Sequence, residues 1–358
     1  MSSAWGSNIK LSIFGGSHTE AIGVVLDNLP ANEKIDLDAV RVQMARRAPG
    51  KDKTATTRAE ADEPQILSGL LNGVTTGAPL AAIIANTNTR SKDYSDLKVH
   101  PRPGHADYTA AVRYDGANDI RGGGHFSGRL TACLVFAGAV CRQILERRGV
   151  VIGAHALQVG AAKDKPFDPV HISAETLEDL STRFFAVHEA ESENAMREEI
   201  EKARLDADSV GGVIECAAVG MPAGIGSPMF GGVENVLASI LYGIPAVKGV
   251  EFGAGFGAAE MRGSENNDPF YYDEDGVVRT ETNHAGGILG GITTGMPVVF
   301  RVAVKPTPSI GKEQKTVDLE NKENSTLAIV GRHDPCIVPR AIPVVEAAAA
   351  IALLDMML

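Results

Sequence analysis

No CxxC pair links the four cysteines (Cys133, Cys141, Cys216, Cys336), and most of them sit in apolar runs. That pattern excludes a disulfide framework and reads as reduced, packed thiols of a cytosolic protein. Positive charge is also scarce. Lys and Arg number 34 against 45 Asp and Glu, a net charge of −11. An acidic surface argues against nucleic acid or an anionic membrane as the main partner, while leaving room for a local basic pocket. The start, MSSAWGSNIKLSIFGGSH, has no long apolar core behind a basic end, so no secretory signal is expected. The longest apolar stretch, residues 130–140, is too short to span a bilayer. There is no Walker A lysine loop, HEAE at His188 is not HExxH, and nothing resembles a metal cluster. No linker divides the chain, so residues 1–358 are expected to form a single domain.

What the chain has in plenty is glycine, 39 residues in short runs, which reads as many turns and close backbone approaches. Strands are expected at 9–14, 21–26, 213–219, 247–252 and 298–304. A helix is expected at 36–47, with Asp36 as N-cap and Pro49-Gly50 as its stop. Residues 66–71 and 74–84, joined by Asn72-Gly73, suggest a hairpin. Two helices, 127–148 and 341–358, are apolar nearly all round and so are expected to be buried. Charged surface helices are expected within 175–205. GVTTGAPLAAIIANT from Gly73 echoes GITTGMPVVFRVAVKPT from Gly291, and each copy leads through a polar loop to a buried helix. This predicts two pseudo-repeated halves in one α+β body, with sheets covering the apolar helices on more than one side.

Several bent segments carry chemistry. FGGSHTE places His18 at a strand exit, RPGHADY mounts His105 on a Pro-Gly bend beside Arg102 and Asp107, and IRGGGHFSGRLTA opens the first buried helix. A helix N-terminus with Arg129 beside it suits a phosphate; the alternative is a capped turn. NHAGGILGGITTG suits either a flat cofactor or a softened strand bend. VKPTPSIG suits a phosphate or a plain rigid loop. GRHDPCIVPRA sets Arg332, His333 and Asp334 before the closing helix, either as a solvated corner or as a buried polar network. Gly253-x-Gly255-x-x-Ala258 mimics a dinucleotide fingerprint, but no amphipathic helix follows, so a Rossmann reading is rejected. Two bent-loop histidines and recurring arginines in an acidic chain point to proton transfer at a small polyanion.

Taken together, GGSHTEAIGVVLDNLP, ARRAPG, RPGHADY, IRGGGHFSGRLTA, VKGVEFGAGF, NHAGGILGGITTG, VKPTPSI and GRHDPCIVPRA resemble, in order and spacing, the chorismate synthase family over nearly the whole chain. The resemblance implies a β-α-β sandwich with helices between sheets, a homotetramer, and a cytoplasmic enzyme of the shikimate pathway. The implied reaction converts 5-enolpyruvylshikimate 3-phosphate to chorismate by 1,4-anti elimination with reduced FMN. It implies catalytic roles for His18, His105 and Asp334. It implies FMN contacts at His125, Phe126, Ser127, Pro245, Ala246, Gly290, Lys305, Pro306, Thr307, Pro308, Ser309 and Arg332. Substrate contacts fall on Arg47, Arg102, Ser127, Arg129 and Arg340, and NADPH contacts on Arg47 and Lys53, with NADPH as an external reductant. The chain departs from the family pattern in places. Gly15-Gly16-Ser17-His18-Thr19 replaces Gly-Glu-Ser-His-Gly, His125-Phe126-Ser127-Gly128-Arg129-Leu130-Thr131 replaces Arg-Ser-Ser-Ala-Arg-Glu-Thr, and RRAPG replaces Arg-Arg-Pro-Gly. Two rival readings of the scaffold are a non-catalytic flavin or phosphometabolite sensor and a true flavin oxidoreductase.

Overall fold

Alternating apolar residues build the first sheet. Ile22, Val24 and Leu26 stand opposite Ile84, Ala82 and Leu80 across one antiparallel pair, and all six are buried. Period-2 spacing puts them on one face, and that face packs on helices. In this computed structural model, which describes residues 3–50, 62–87, 97–329 and 334–358, the chain runs through two halves. The first half holds β1 (Ala4–Trp5), β2 (Lys10–Gly15), β3 (Ala21–Asp27), α1 (Leu37–Arg47), β4 (Pro64–Ser68), β5 (Leu70–Leu71), β6 (Val74–Thr75), β7 (Leu80–Ala85), α2 (Asp107–Arg113) and α3 (Thr131–Arg147). The second holds β8 (Val151–Val159), β9 (Ala162–Lys163), α4 (Ala174–Leu180), α5 (Ala190–Leu205), β10 (Gly212–Val219), α6 (Val233–Leu241) and β11 (Val247–Phe252). It continues with α7 (Gly263–Asn266), β12 (Phe270–Tyr272), β13 (Val278–Thr280), β14 (Ile288–Leu289), β15 (Ile292–Thr293), β16 (Val298–Val304), β17 (Gln314–Asp318), β18 (Glu323–Leu327) and α8 (Val338–Met357).

The pseudo-repeat is present in atomic detail. One sheet runs β1-β2-β3-β7-β4 and the other β9-β8-β10-β16-β11, so β2, β3, β7 and β4 correspond to β8, β10, β16 and β11, while the short edge strands β1 and β9 differ in chain order. Thr75 Oγ1 donates to Pro30 O at 2.6 Å, and Thr293 Oγ1 donates to Pro222 O at 2.6 Å. Asn72-Gly73 and Gly290-Gly291 each turn a two-residue hairpin with positive φ at both positions.

The helices lie between the sheets. α3 touches β3 of one sheet and β8 of the other, and α8 touches β8, β10, α1, α3 and α6. α8 has 16 of its 20 residues buried and α3 has 14 of 17, which is why their sequences are apolar all round. They cross closely at Gly138, where any Cβ would overlap Ala347. The segment Gly128–Arg147 is long and apolar enough to cross a membrane, contrary to the length expectation, but 89% of that apolar window is buried within the protein. All four cysteines are free and buried, and burial pushes Cys133, Cys141 and Cys336 up to about 12.

Some boundaries differ from expectation for local reasons. The helix expected from residue 127 begins at Thr131, because Ser127 is extended (φ −71°, ψ 142°) and Gly128–Leu130 first form a 3-10 turn. Ser127 caps the short turn Gly128–Leu130 rather than the helix itself, accepting from Arg129 N. α8 starts three residues early, since Pro339 fits a first turn. The strand expected over 74–84 breaks at residues 76–79. Asp36 caps α1 as expected, accepting from Asp38 N and Ala39 N. The nominal dinucleotide glycines lead into a 3-10 turn, Gly255–Glu260, so the rejected Rossmann reading stays rejected.

Candidate active site

Three glycines separate two imidazoles. A Cβ at Gly122 would collide with the His18 ring and crowd Ser17 Oγ at 2.6 Å, and one at Gly123 would stand 3.1 Å from His105 Nε2. The glycine run therefore acts here as a thin wall between histidines, not as the phosphate cradle of a helix N-terminus.

On one side, His18 is buried in the β2–β3 turn. Ser17 Oγ donates to Arg121 O at 3.1 Å, so it accepts from His18 Nδ1, 3.2 Å away. That puts the proton on Nδ1 and the lone pair on Nε2. On the other side, His105 Nδ1 is 2.7 Å from Asp107 Oδ1. Arg102 fastens the same carboxylate through Nε at 2.7 Å and Nη2 at 2.8 Å, and its Nη1 reaches Ser309 Oγ at 3.1 Å. Burial works to raise the Asp107 carboxyl, but the hydrogen bonds from Arg102 and His105 outweigh it and hold the group well below the usual carboxylate range. Asp107 is thus the orienting partner of His105 and not a cap, since Ala106 occupies the N-cap position of α2.

These walls enclose a cavity of about 620 Å³, within the roughly 300–1,000 Å³ usual for small-molecule sites. Among the described residues, Arg47, Arg102, Arg129, Lys248, Lys305 and Arg340 line it against a single acidic group, Asp334. In a chain of net charge −11 this is a concentrated basic pocket. The second half contributes its wall through Pro245, Ala246, Lys305, Thr307, Pro308 and Ser309. Ala246 holds a φ of 78°, a conformation that costs on the order of 1–3 kcal/mol and concentrates at binding sites. Lys305 Nζ donates to Gly104 O at 2.8 Å, which ties the His105 bend to the end of β16. Burial, and then the charge of Lys248, push the Lys305 amine down. The buried Thr307 Oγ1 has no hydrogen-bond partner among the described residues.

The expected site residues mostly converge here. His105, His125, Phe126, Ser127 and Asp334 line the cavity with the residues above, and His18 stands behind Gly122. Gly290 does not converge: it is the exposed turn of the β14–β15 hairpin. Pro306 also faces away and packs on Gly211. Lys53 and Arg332 lie outside the described residues. His125, standing where the family pattern has arginine, spends both ring nitrogens on the protein, with Nδ1 on Gly15 O at 2.7 Å and Nε2 on Ser3 Oγ at 2.6 Å.

The arginines are less available than expected. Arg102 spends Nε, Nη1 and Nη2 on Asp107 and Ser309. Arg340 Nη1 holds Asp334 Oδ2 at 2.8 Å. Arg47 and Arg129 both bond Asp62, a buried carboxylate that sequence reasoning missed inside a polar, aperiodic loop. Asn86 and Lys248 were missed as well; Asn86 lies at the end of the GVTTGAPLAAIIANT echo and Lys248 lies in VKGVEFGAGF, and neither segment was read for its polar side chains.

The chorismate synthase family profile matches residues 9–358. A chorismate synthase of Thermococcus kodakarensis is 47% identical over 353 residues, covering 99% of this chain and 97% of that one. One of Dehalococcoides mccartyi is 44% identical over 358 residues, covering 100% and 97%. A crystal structure of chorismate synthase superimposes with a TM-score of 0.76 at 27% identity, covering 99% of this chain and 92% of the other.

Proposed function

Since the chain belongs to the chorismate synthase family, we propose that it converts 5-enolpyruvylshikimate 3-phosphate to chorismate and phosphate with reduced FMN, as the last step of the shikimate pathway. The observation that carries this reading is the pair of histidines set on either side of Gly122–Gly124 at a basic cavity. The substrate bears a phosphate and two carboxylates, and six Lys and Arg side chains among the described residues line the cavity.

The residues present fit a flavin. The backbone strain at Ala246, the unpartnered Thr307 hydroxyl and the Lys305 amine lie along one wall, where a ring edge and a phosphate find donors. Ser127, Phe126 and His125 line the same cavity. Reduced flavin, when bound, supplies transient electron density to a reaction with no net redox change. The chain's own groups manage the protons. His18, whose Nδ1 proton is held by Ser17, must first take up a second proton at Nε2, and as the imidazolium it delivers that proton to the departing phosphate, which otherwise leaves as a poorly stabilised anion. Asp107 retains the Nδ1 proton of His105, so Nε2 is the nitrogen that gains and releases a proton. Asp334, held by Arg340, serves as the acceptor side of the ring-proton transfer.

The reading extends to a cytoplasmic homotetramer of single-domain chains, in which NADPH acts outside the cycle to reduce the flavin. Arg47 supports that separation, because its guanidinium is committed to Asp62, Thr131 and Gly128 O. The test is anaerobic turnover with chemically reduced FMN. His18→Ala and His105→Ala are each expected to lower turnover by about 10- to 10⁴-fold. Wild-type turnover in either variant would remove that residue from the mechanism. No chorismate from the wild-type chain would favour a flavin or phosphometabolite sensor, and NADPH consumed in step with product would favour an oxidoreductase.

A further inference from the structure

Asp62 has no part in the chemistry proposed above, yet it sits at the centre of the polar structure behind the cavity. Its side chain is fully buried. Oδ1 takes Arg129 and Oδ2 takes Arg47. From Arg129 the connection continues through Nε to Asn86 Oδ1 at 3.0 Å. The Asn86 amide then donates to Gly16 O at 2.9 Å and Thr19 O at 2.8 Å, the carbonyls that bracket His18. From Arg47 the connection runs the other way. The Arg47 carbonyl accepts from Arg340 Nε at 3.0 Å, and Arg340 Nη1 holds Asp334 Oδ2 at 2.8 Å.

We infer that Asp62 is a positioning residue that sets the His18 loop and Asp334 in register through Arg129–Asn86 and Arg47–Arg340. The inference rests on the roles proposed above for His18 and Asp334. Its physical basis is charge. Arg47 and Arg129 repel each other across the cavity wall, and Asp62 is the anion that holds both guanidiniums in one place. Without that charge the two cations separate, and each pulls on the segment it anchors. One movement reaches the β2–β3 turn and the other the start of α8. The two pseudo-repeated halves each supply one of these segments, so the bridge also fixes one half's proton donor against the other half's carboxylate.

The test compares Asp62→Asn and Asp62→Glu with the wild-type full chain under anaerobic turnover with reduced FMN. An amide retains one acceptor and no charge, so Asp62→Asn is expected to lower kcat by about 10- to 100-fold, the scale of lost supporting contacts around a site. The acidic or basic limb of the pH profile of kcat/KM should shift, and Asp62→Glu should restore most of the rate. A readout independent of turnover is the rate of His18 carbethoxylation by diethyl pyrocarbonate in flavin-free protein, followed by peptide mass; it should change in Asp62→Asn. If Asp62→Asn does not fold, Asn86→Ala cuts the bridge to the His18 loop while leaving the ion cluster intact, and the same changes are expected. Wild-type kcat, pH profile and His18 reactivity in a folded variant would overturn the inference. So would activity lost only in proportion to thermal stability, with the pH profile unmoved. A wild-type chain that makes no chorismate overturns the proposed function instead, which distinguishes the two failures.

Discussion

His105 carries a carboxylate on Nδ1, an arginine beside its ring and a glycine against Nε2. Its usefulness comes from those neighbours. Asp107→Asn would keep the shape but leave the imidazole free to hold its proton on either nitrogen. We expect kcat to fall about 10- to 10³-fold by loss of oriented proton transfer. A kcat within twofold of wild type would show that Asp107 only pairs Arg102. Gly122→Ala places a methyl on the His18 ring in a backbone with φ of 61°. It should abolish turnover while leaving the circular dichroism spectrum unchanged; an active variant would show that the wall is not needed. At this scale the sequence was readable where side chain and backbone signals coincided. His18 and His105 announced themselves through flanking Gly and Pro. Asp62 did not, because a buried carboxylate in a polar loop looks like any solvated one until its two arginines are in place.

Helix packing decides the next scale. Ala is a better helix former than Gly by about 1 kcal/mol, so Gly138→Ala would stabilise an exposed helix. Here its Cβ overlaps Ala347 of α8, and overpacking costs about 1–3 kcal/mol. The close contact should win, and urea unfolding should show a net loss of stability; a gain would mean that α3 and α8 can move apart freely. A second element-scale case lies under the segment that precedes and joins α4 and α5, where His155 sits between Asp164 and Glu215, with both ring nitrogens 3.1 Å from carboxylate oxygens. Burial opposes ionisation of Asp164, and the hydrogen bond from His155 leads the contacts that outweigh it, bringing the carboxyl down to about 2. A lowered carboxyl contributes stability that is complete above its unfolded value near 4 and is lost as pH falls toward 2. Unfolding midpoints measured from pH 5 to pH 2 should therefore fall less steeply in Asp164→Asn than in wild type; equal slopes would remove Asp164 from the acid limb. Element types were legible from periodicity and caps, as Asp36 shows. Their ends were not, because α3 is preceded by a 3-10 turn over Gly128–Leu130 and α8 begins on a tolerated proline.

Across the whole molecule, the repeat TTG motif was legible as an echo and proved to mark two matching two-stranded hairpins, each leading into a strand of one of the large sheets. The cavity between the halves was not legible, because it depends on how Gly104, Lys305 and Ser309 meet across about 200 residues of chain. Large apolar side chains remain on the outside of the second half: Phe230 is 88% exposed, Phe256 87% and Tyr272 76%. Large apolar side chains left outside are candidate contacts for another copy, which fits the proposed homotetramer. The paired change Phe230→Glu and Phe256→Glu should lower the mass found by sedimentation equilibrium; an unchanged mass would place the interface elsewhere. The most direct test of the central claim is a stoichiometry, the amount of chorismate formed anaerobically per reduced FMN oxidised. The account predicts many product molecules per flavin with the flavin still reduced at the end. No chorismate, or one flavin oxidised for each product, would contradict it.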